Sequence, residues 1–144
     1  MLIRPATPGD LDSVTALVAE FCEVDSHEFD IERVQRALRP LLAGDTYGVV
    51  WLLADDGAPA GYAVVTWGYA IESGGRDALL DEIYVRDREH GRGGELLETI
   101  LDDCRRRGLS QMFLETERPN ERVRGFYARH GFAVDSSVWM SRPL

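Results

Sequence analysis

Apolar residues recur along the chain with two periods, and the switches between them mark out the elements. After a short extended start, Leu2 to Arg4, closed by Pro5, the residues Leu11, Val14, Leu17, Val18 and Phe21 share one helical face, with Asp10 placed to cap it. A polar stretch with Glu23, Asp25, Glu28 and Asp30 follows. Ile31, Val34, Leu38, Leu41 and Leu42 then mark a second amphipathic helix closed by Gly44. From Tyr47 to Ala54 the pattern becomes a dense apolar run of strand length, and Asp55-Asp56-Gly57 is a hairpin turn signal. Ala60 to Ile71 reads as a long third strand rich in Val, Thr, Tyr and Trp. Ser73-Gly74-Gly75 reverses the chain into a fourth strand, Ala78 to Val85. Leu96, Leu97, Ile100, Leu101 and Cys104 return to helical spacing until Gly108. Gln111 to Thr116 is a fifth strand, Asn120 can cap a fourth helix ending near Gly131, and Phe132 to Met140 supplies one or two last strands.

The order β-α-α-β-β-β-α-β-α-β-β predicts a mixed α/β (α+β) fold. Its central sheet has six to seven strands, mostly antiparallel with one βαβ crossover, flanked by four helices. A length of 144 residues fits a single domain, 1–144, and 44% hydrophobic with 28% charged residues is an ordinary globular balance. No apolar run approaches the roughly 18 residues a membrane span needs. Met1-Leu2-Ile3-Arg4-Pro5 lacks the features of a secretory leader, so a cytoplasmic protein with no membrane partner is expected.

A formal net charge of −9 argues against a nucleic-acid partner and suits a cationic substrate, although acidity also serves solubility alone. All 16 basic residues are arginine. The absence of lysine excludes a P-loop lysine and Schiff-base chemistry. Cys22 and Cys104 read as small core residues rather than a disulfide or nucleophiles, and His27, His90 and His130 share no metal-ligand spacing, so no metal is expected.

Between the fourth strand and the third helix lies Val85-Arg86-Asp87-Arg88-Glu89-His90-Gly91-Arg92-Gly93-Gly94. Free N–H groups at a helix start, backed by the helix dipole, bind phosphate, and glycines let the backbone come close. Arg88, His90 and Arg92 add donors and charge. The dinucleotide fingerprint would require a glycine where Leu96 stands. By itself such a loop is equally an ordinary strand-to-helix connection.

A second pattern follows the fifth strand: Leu114-Glu115-Thr116, Asn120, Phe126-Tyr127 and Gly131-Phe132. Together with Arg88-Glu89-His90-Gly91-Arg92-Gly93, which matches a Q/R-x-x-G-x-G/A pyrophosphate motif, the chain resembles the GNAT superfamily of N-acetyltransferases. Ile3-Arg4-Pro5-Ala6-Thr7 also looks like family usage, so the resemblance spans nearly the whole chain. One departure is Asp87, where many relatives carry proline. Gly91, Gly93 and Gly94 also allow two registers of the motif, of which the one with Arg88 in the Q/R position needs no gap.

The resemblance implies acetyl-CoA as cosubstrate and direct attack of a primary amine on its thioester in a ternary complex. The amine belongs to a small molecule or a peptide and is not identified. Ile83, Tyr84 and Val85 lie on the strand that would bind the pantetheine, through backbone groups of Ile83 and Val85, and Arg88, Glu89, His90, Gly91, Arg92, Gly93 and Gly94 would bind the pyrophosphate. Asn120 would hydrogen-bond the pantetheine arm while also capping its helix, and Tyr127 would give a proton to the leaving sulfur; its bland alternative is a core tyrosine. Glu82 is the first choice of general base, directly or through water, against a solvated strand carboxylate; Asp81 and Glu115 are reserves. The base matters because an alkyl amine with a pKa near 10.4 is neutral in roughly one molecule in 2,500 at pH 7. The acidic stretch Cys22 to Asp30, with Trp67, Tyr69 and Glu72, would border the acceptor site, or be plain surface and sheet. A non-catalytic acyl-CoA-binding sensor of the same fold is the alternative function. A homodimer through the strand near Val138 to Met140 is an option.

Overall fold

The strands form one sheet in chain order, β1-β2-β3-β4-β5. The computed structural model describes residues 1–144. The chain divides into two units, Met1–Leu114 and Glu115–Leu144, and the sheet belongs to the first. β1 (Leu2–Pro5), β2 (Gly48–Asp55), β3 (Ala58–Ala70) and β4 (Gly75–Val85) pair antiparallel. β5 (Met112–Phe113) joins β4 in parallel. An antiparallel pair needs only a tight turn: between β2 and β3, Asp56 and Gly57 take φ of 47° and 80°, the two left-handed positions of a I′-type hairpin. The parallel pair needs a crossover, which α3 (Arg92–Arg106) supplies.

α1 (Leu11–Val24) and α2 (Ile31–Ala43) cover one face of the sheet. Val14, Leu17, Val18, Leu38 and Leu42 pack there against Val50, Leu52, Tyr62, Val64 and Tyr84. The alternate residues Val49, Trp51, Leu53, Ala63 and Val65 are buried too and point to the other face. Burial on both faces explains why β2 reads as a continuous apolar run. α3 packs on β4 and buries Leu96, Leu97, Ile100 and Cys104. No helix is long and apolar enough to cross a membrane.

The expected mixed fold class holds, with local corrections. Asp10 precedes α1, but its carboxylate does not cap it; it accepts from Nη1 and Nη2 of Arg4, at 2.8 and 2.9 Å, and from the Thr7 N–H. Asp30 is the working cap of α2, accepting from the N–H groups of Glu32 and Arg33. Ile31, in the first turn of α2, is exposed.

The sheet has five strands rather than six or seven. β5 is cut to two residues, which pair with Ala78 and Leu79. A bulge follows: Val64 pairs with Glu82 and Val65 with Leu80, so Asp81 is an extra residue in β4. A bulge bends its strand, and here pairing with β5 stops just before it. Residues 132–140 form no strand. Their β-propensity is real, but a strand needs a hydrogen-bonded neighbour, and the unit Glu115–Leu144 contains no other.

That second unit is built on α4 (Glu121–Arg129). Asn120 Oδ1 accepts from the Val123 N–H and caps its start. At its end Gly131 takes φ 88°, and the N–H groups of Gly131 and Phe132 return to the carbonyls of Ala128 and Tyr127. This is the double-bonded glycine stop of a helix, with its customary apolar contact: the rings of Phe132 and Tyr127 lie 5.6 Å apart.

Candidate active site

The bulge organises the end of β4. The Arg86 N–H donates to the Ala60 carbonyl at 3.0 Å, so residues 60 and 86 form a hydrogen-bonded pair. Such pairs alternate along an antiparallel ladder. Tyr84, opposite Tyr62, therefore turns its backbone groups towards β3, and Ile83 and Val85 turn theirs to the opposite edge. Beyond Leu79 no strand pairs with that edge. Ile83 and Val85 thus turn their backbone groups to an edge that no strand occupies.

Alternation sets Glu82 and Tyr84 on the face covered by α1 and α2, and Ile83 and Val85 on the other. Asp81 does not share the Ile83 face cleanly, as plain alternation would have it; it is the bulged residue and is exposed. Glu82 is half-buried and accepts a hydrogen bond of 2.6 Å from the Tyr62 hydroxyl through Oε2. Half-burial lifts its carboxyl above the usual range; the Tyr62 bond and the charge of His27 oppose this, and Asp81 adds to it. Burial, then the charge of Glu82, pushes the Tyr62 hydroxyl well above its ordinary value, so it remains a donor. Burial, followed by the charges of Glu82 and Asp25, also raises the Cys22 thiol. Cys104 is pushed up to about 11 by burial, as befits a core thiol.

The glycine loop leaves β4 at Val85 and enters α3 through Gly91, whose φ of 73° is left-handed and favours glycine. No side chain caps α3. The N–H groups of Arg92, Gly93 and Gly94 therefore keep the orphan character of a helix start. Asp87, where proline is common among relatives, shapes the loop by another means: its carboxylate accepts from the Glu89 N–H at 3.0 Å and pairs with His90 Nδ1 at 2.6 Å. Arg88 and Glu89 are exposed. The Arg92 guanidinium bonds Asp55 of the β2–β3 hairpin, at 2.5 Å. Its backbone, more than its side chain, is then what it offers a phosphate. The root of the loop is tied down by an ion pair that sequence reasoning missed: Arg86 bonds both oxygens of Glu20 on α1, at 2.6 and 2.8 Å. The hydroxyl of Tyr84 reaches the same carboxylate.

In the second unit, Asn120 spends its oxygen on the cap and retains its amide N–H groups as donors. Tyr127 sits one turn before the glycine stop, held edge-on by Phe126 and Phe132. Burial raises its hydroxyl above the ordinary value, and that hydroxyl has no hydrogen-bond partner in the protein. It is a protonated, unspent donor at neutral pH.

Other candidates are engaged elsewhere. Trp67 donates to the Asp45 carbonyl at 2.8 Å and carries the Arg107 guanidinium 5.1 Å over its ring. Tyr69 is exposed and Glu72 lies in the β3–β4 turn. Of the acids at and after the end of α1, Asp30 is a helix cap, Asp25 pairs with His27 at 3.3 Å, and Glu23 and Glu28 are exposed. Tyr62 had no sequence signal beyond a β-forming tyrosine, because its partner depends on the β3–β4 register.

The chain matches the profile of the Acetyltransferase (GNAT) family over residues 12–132. It is 28% identical over 141 residues to a thialysine N-epsilon-acetyltransferase of Bos taurus, covering 91% of this chain and 83% of that protein. An integron cassette protein from the mobile metagenome of Cole Harbour Salt Marsh superposes with a TM-score of 0.89 at 28% identity, covering 99% of this chain and 90% of the other. A ribosomal-protein-alanine N-acetyltransferase of Brucella melitensis biovar Abortus 2308 shares the fold, with a TM-score of 0.79 at 22% identity over 98% and 97% of the two chains.

Proposed function

Because the chain belongs to the acetyltransferase (GNAT) family, we propose that it carries an acetyl group from acetyl-CoA to a primary amine by direct attack in a ternary complex. The observation that carries this reading is the run from the unpaired edge of β4 at Ile83 and Val85, through the loop, to the uncapped start of α3 at Gly91. Strand-like backbone groups followed by free helix-start amides suit a pantetheine followed by a pyrophosphate. Arg88, Glu89, His90, Gly91, Arg92, Gly93 and Gly94 surround the phosphates in this reading, with Tyr84 holding the strand between its bonding neighbours. No metal has a part in it.

In the reaction Glu82 takes a proton from the acceptor ammonium, the amine nitrogen attacks the thioester carbon, the carbon–sulfur bond breaks as Tyr127 gives a proton to the thiolate, and the second proton that the nitrogen loses on becoming an amide restores Tyr127 through solvent. The half-burial of Glu82 and the unspent hydroxyl of Tyr127 support these roles. Asn120 uses its remaining amide donors on the pantetheine arm. The acceptor is a small primary alkylamine, and thialysine is the first to test, on the strength of the bovine relative's name. The net charge of −9 supports a cationic acceptor and not a nucleic acid. The family match running from residue 12 to 132 supports one functional domain across both units. The free thiols Cys22 and Cys104 support a cytoplasmic setting. The exposed Val138, Trp139 and Met140 support a homodimer.

The test is release of CoA thiol from acetyl-CoA across thialysine, other alkylamines and peptide amines. Turnover with one class identifies the acceptor. Tight binding without turnover on any amine would replace the enzyme by a holder of acyl-CoA.

A further inference from the structure

Glu82 has two carboxylate oxygens, and the protein uses only one. Oε2 receives the Tyr62 hydroxyl at 2.6 Å, and Oε1 has no hydrogen-bond partner in the protein. Tyr62 has no freedom to do otherwise. Its side chain is fully buried among the residues of α1 and α2, and its ring lies 6.3 Å from that of Tyr84. β3 sets its position as well, since Tyr62 pairs with Tyr84 and Val64 with Glu82, immediately before the bulge. A buried tyrosine hydroxyl seeks an acceptor, and a leucine or phenylalanine at 62 would have filled the same core without one.

We propose that Tyr62 is the positioning residue of the acetyl transfer: it fixes Glu82 through Oε2 so that Oε1 alone faces the acceptor ammonium and takes its proton. This rests on the reading of Glu82 as the base. The proton passes from the ammonium nitrogen to Oε1, leaving a neutral amine and a carboxylic acid, and returns to solvent after acetylation. Tyr62 keeps its own proton throughout. The groups facing Glu82 from its surroundings are Tyr62 of β3, the adjacent Asp81 of β4, His27 of the α1–α2 connection and Cys22 of α1. Of these, Tyr62 donates it a hydrogen bond. Losing that donor removes stabilisation of the charged carboxylate and makes Glu82 harder to ionise.

The test compares Tyr62→Phe, Glu82→Gln and the double variant, with kcat/KM followed against pH. Carboxyl titration of Glu82 is followed in parallel by carbon-13 NMR in the unaltered protein and in Tyr62→Phe. The expected result has four parts. Glu82→Gln removes the acidic limb. Tyr62→Phe moves that limb and the NMR titration of Glu82 together to higher pH, by about one pH unit. At its plateau Tyr62→Phe loses about tenfold in kcat with KM for acetyl-CoA unchanged. In the Glu82→Gln background Tyr62→Phe changes nothing further in rate. An acidic limb that stays in place in Tyr62→Phe, while Glu82→Gln abolishes it, overturns the role of Tyr62 and leaves Glu82 as base. A limb that survives Glu82→Gln overturns the base itself, and with it the inference. Should Tyr62→Phe fold poorly, simultaneous titration of labelled Tyr62 and Glu82 carbons in the unaltered protein decides instead: absence of a shared inflection refutes the coupling.

Discussion

At the scale of single residues, the sequence exposed the side chains whose neighbours are close in the chain and hid those whose partners arrive through the sheet. Tyr127 could be picked out because Asn120 and the Gly131-Phe132 pair flank it at fixed spacing, and all of them serve one short helix. Glu82 could be named but not weighed, since its carboxyl is raised by burial and held back by a hydrogen bond from Tyr62, 20 residues away. The proposed role of Tyr127 predicts that Tyr127→Phe, which keeps the ring packing with Phe126 and Phe132 and loses the hydroxyl, lowers kcat about 10- to 100-fold. Steady-state kinetics would show this with acetyl-CoA affinity little changed. An unaltered kcat would leave Tyr127 as packing only.

At the scale of elements, helix ends were legible where a glycine or an Asx residue works locally, and misread where the side chain found a better partner. Gly131 is the first kind. At φ 88° a Cβ is strained although nothing crowds the position, so Gly131→Ala should cost about 1 kcal/mol and lower Tm by a few degrees. Calorimetry checks this, and an unchanged Tm would mean the helix end is not held as described. Asp10 is the second kind. Its bonds to Arg4, together with the Thr7 N–H, hold its carboxyl well below the usual carboxylate range. A depressed carboxyl stabilises the fold above the ordinary value near 4 and loses that contribution as pH falls through the folded value. Asp10→Asn should therefore be less stable than the parent by about 1–2 kcal/mol at pH 7, the gap narrowing below about pH 3. Denaturant melts at several pH values measure it, and a gap independent of pH would contradict the pairing. The strand count fell short of the sequence reading for a reason of the same scale. Pattern gives β-propensity for residues 132–140, whereas a strand also requires a neighbour to bond. The bulge at Asp81, which no periodicity announces, lies just past the end of the β5 pairing and sets Glu82 opposite Val64.

At the scale of the molecule, the fold class, the single crossover and the family were all readable, because two motifs at a fixed separation specify more than either does alone. In the proposed reading, a net charge of −9 would add a long-range attraction for a cationic amine without deciding which one. The identity of the acceptor depends on pocket shape, which no local pattern encodes. The claim on which the rest depends is that the β4 edge and the start of α3 hold acetyl-CoA. Its most direct test is isothermal titration of acetyl-CoA into the protein and into Gly93→Glu, a variant that sets a carboxylate among the proposed phosphate-binding amides without altering the left-handed Gly91. Saturable one-to-one binding that the folded variant loses is the expected result. Failure of the folded parent protein to bind acetyl-CoA, or equal binding by both, would contradict the account.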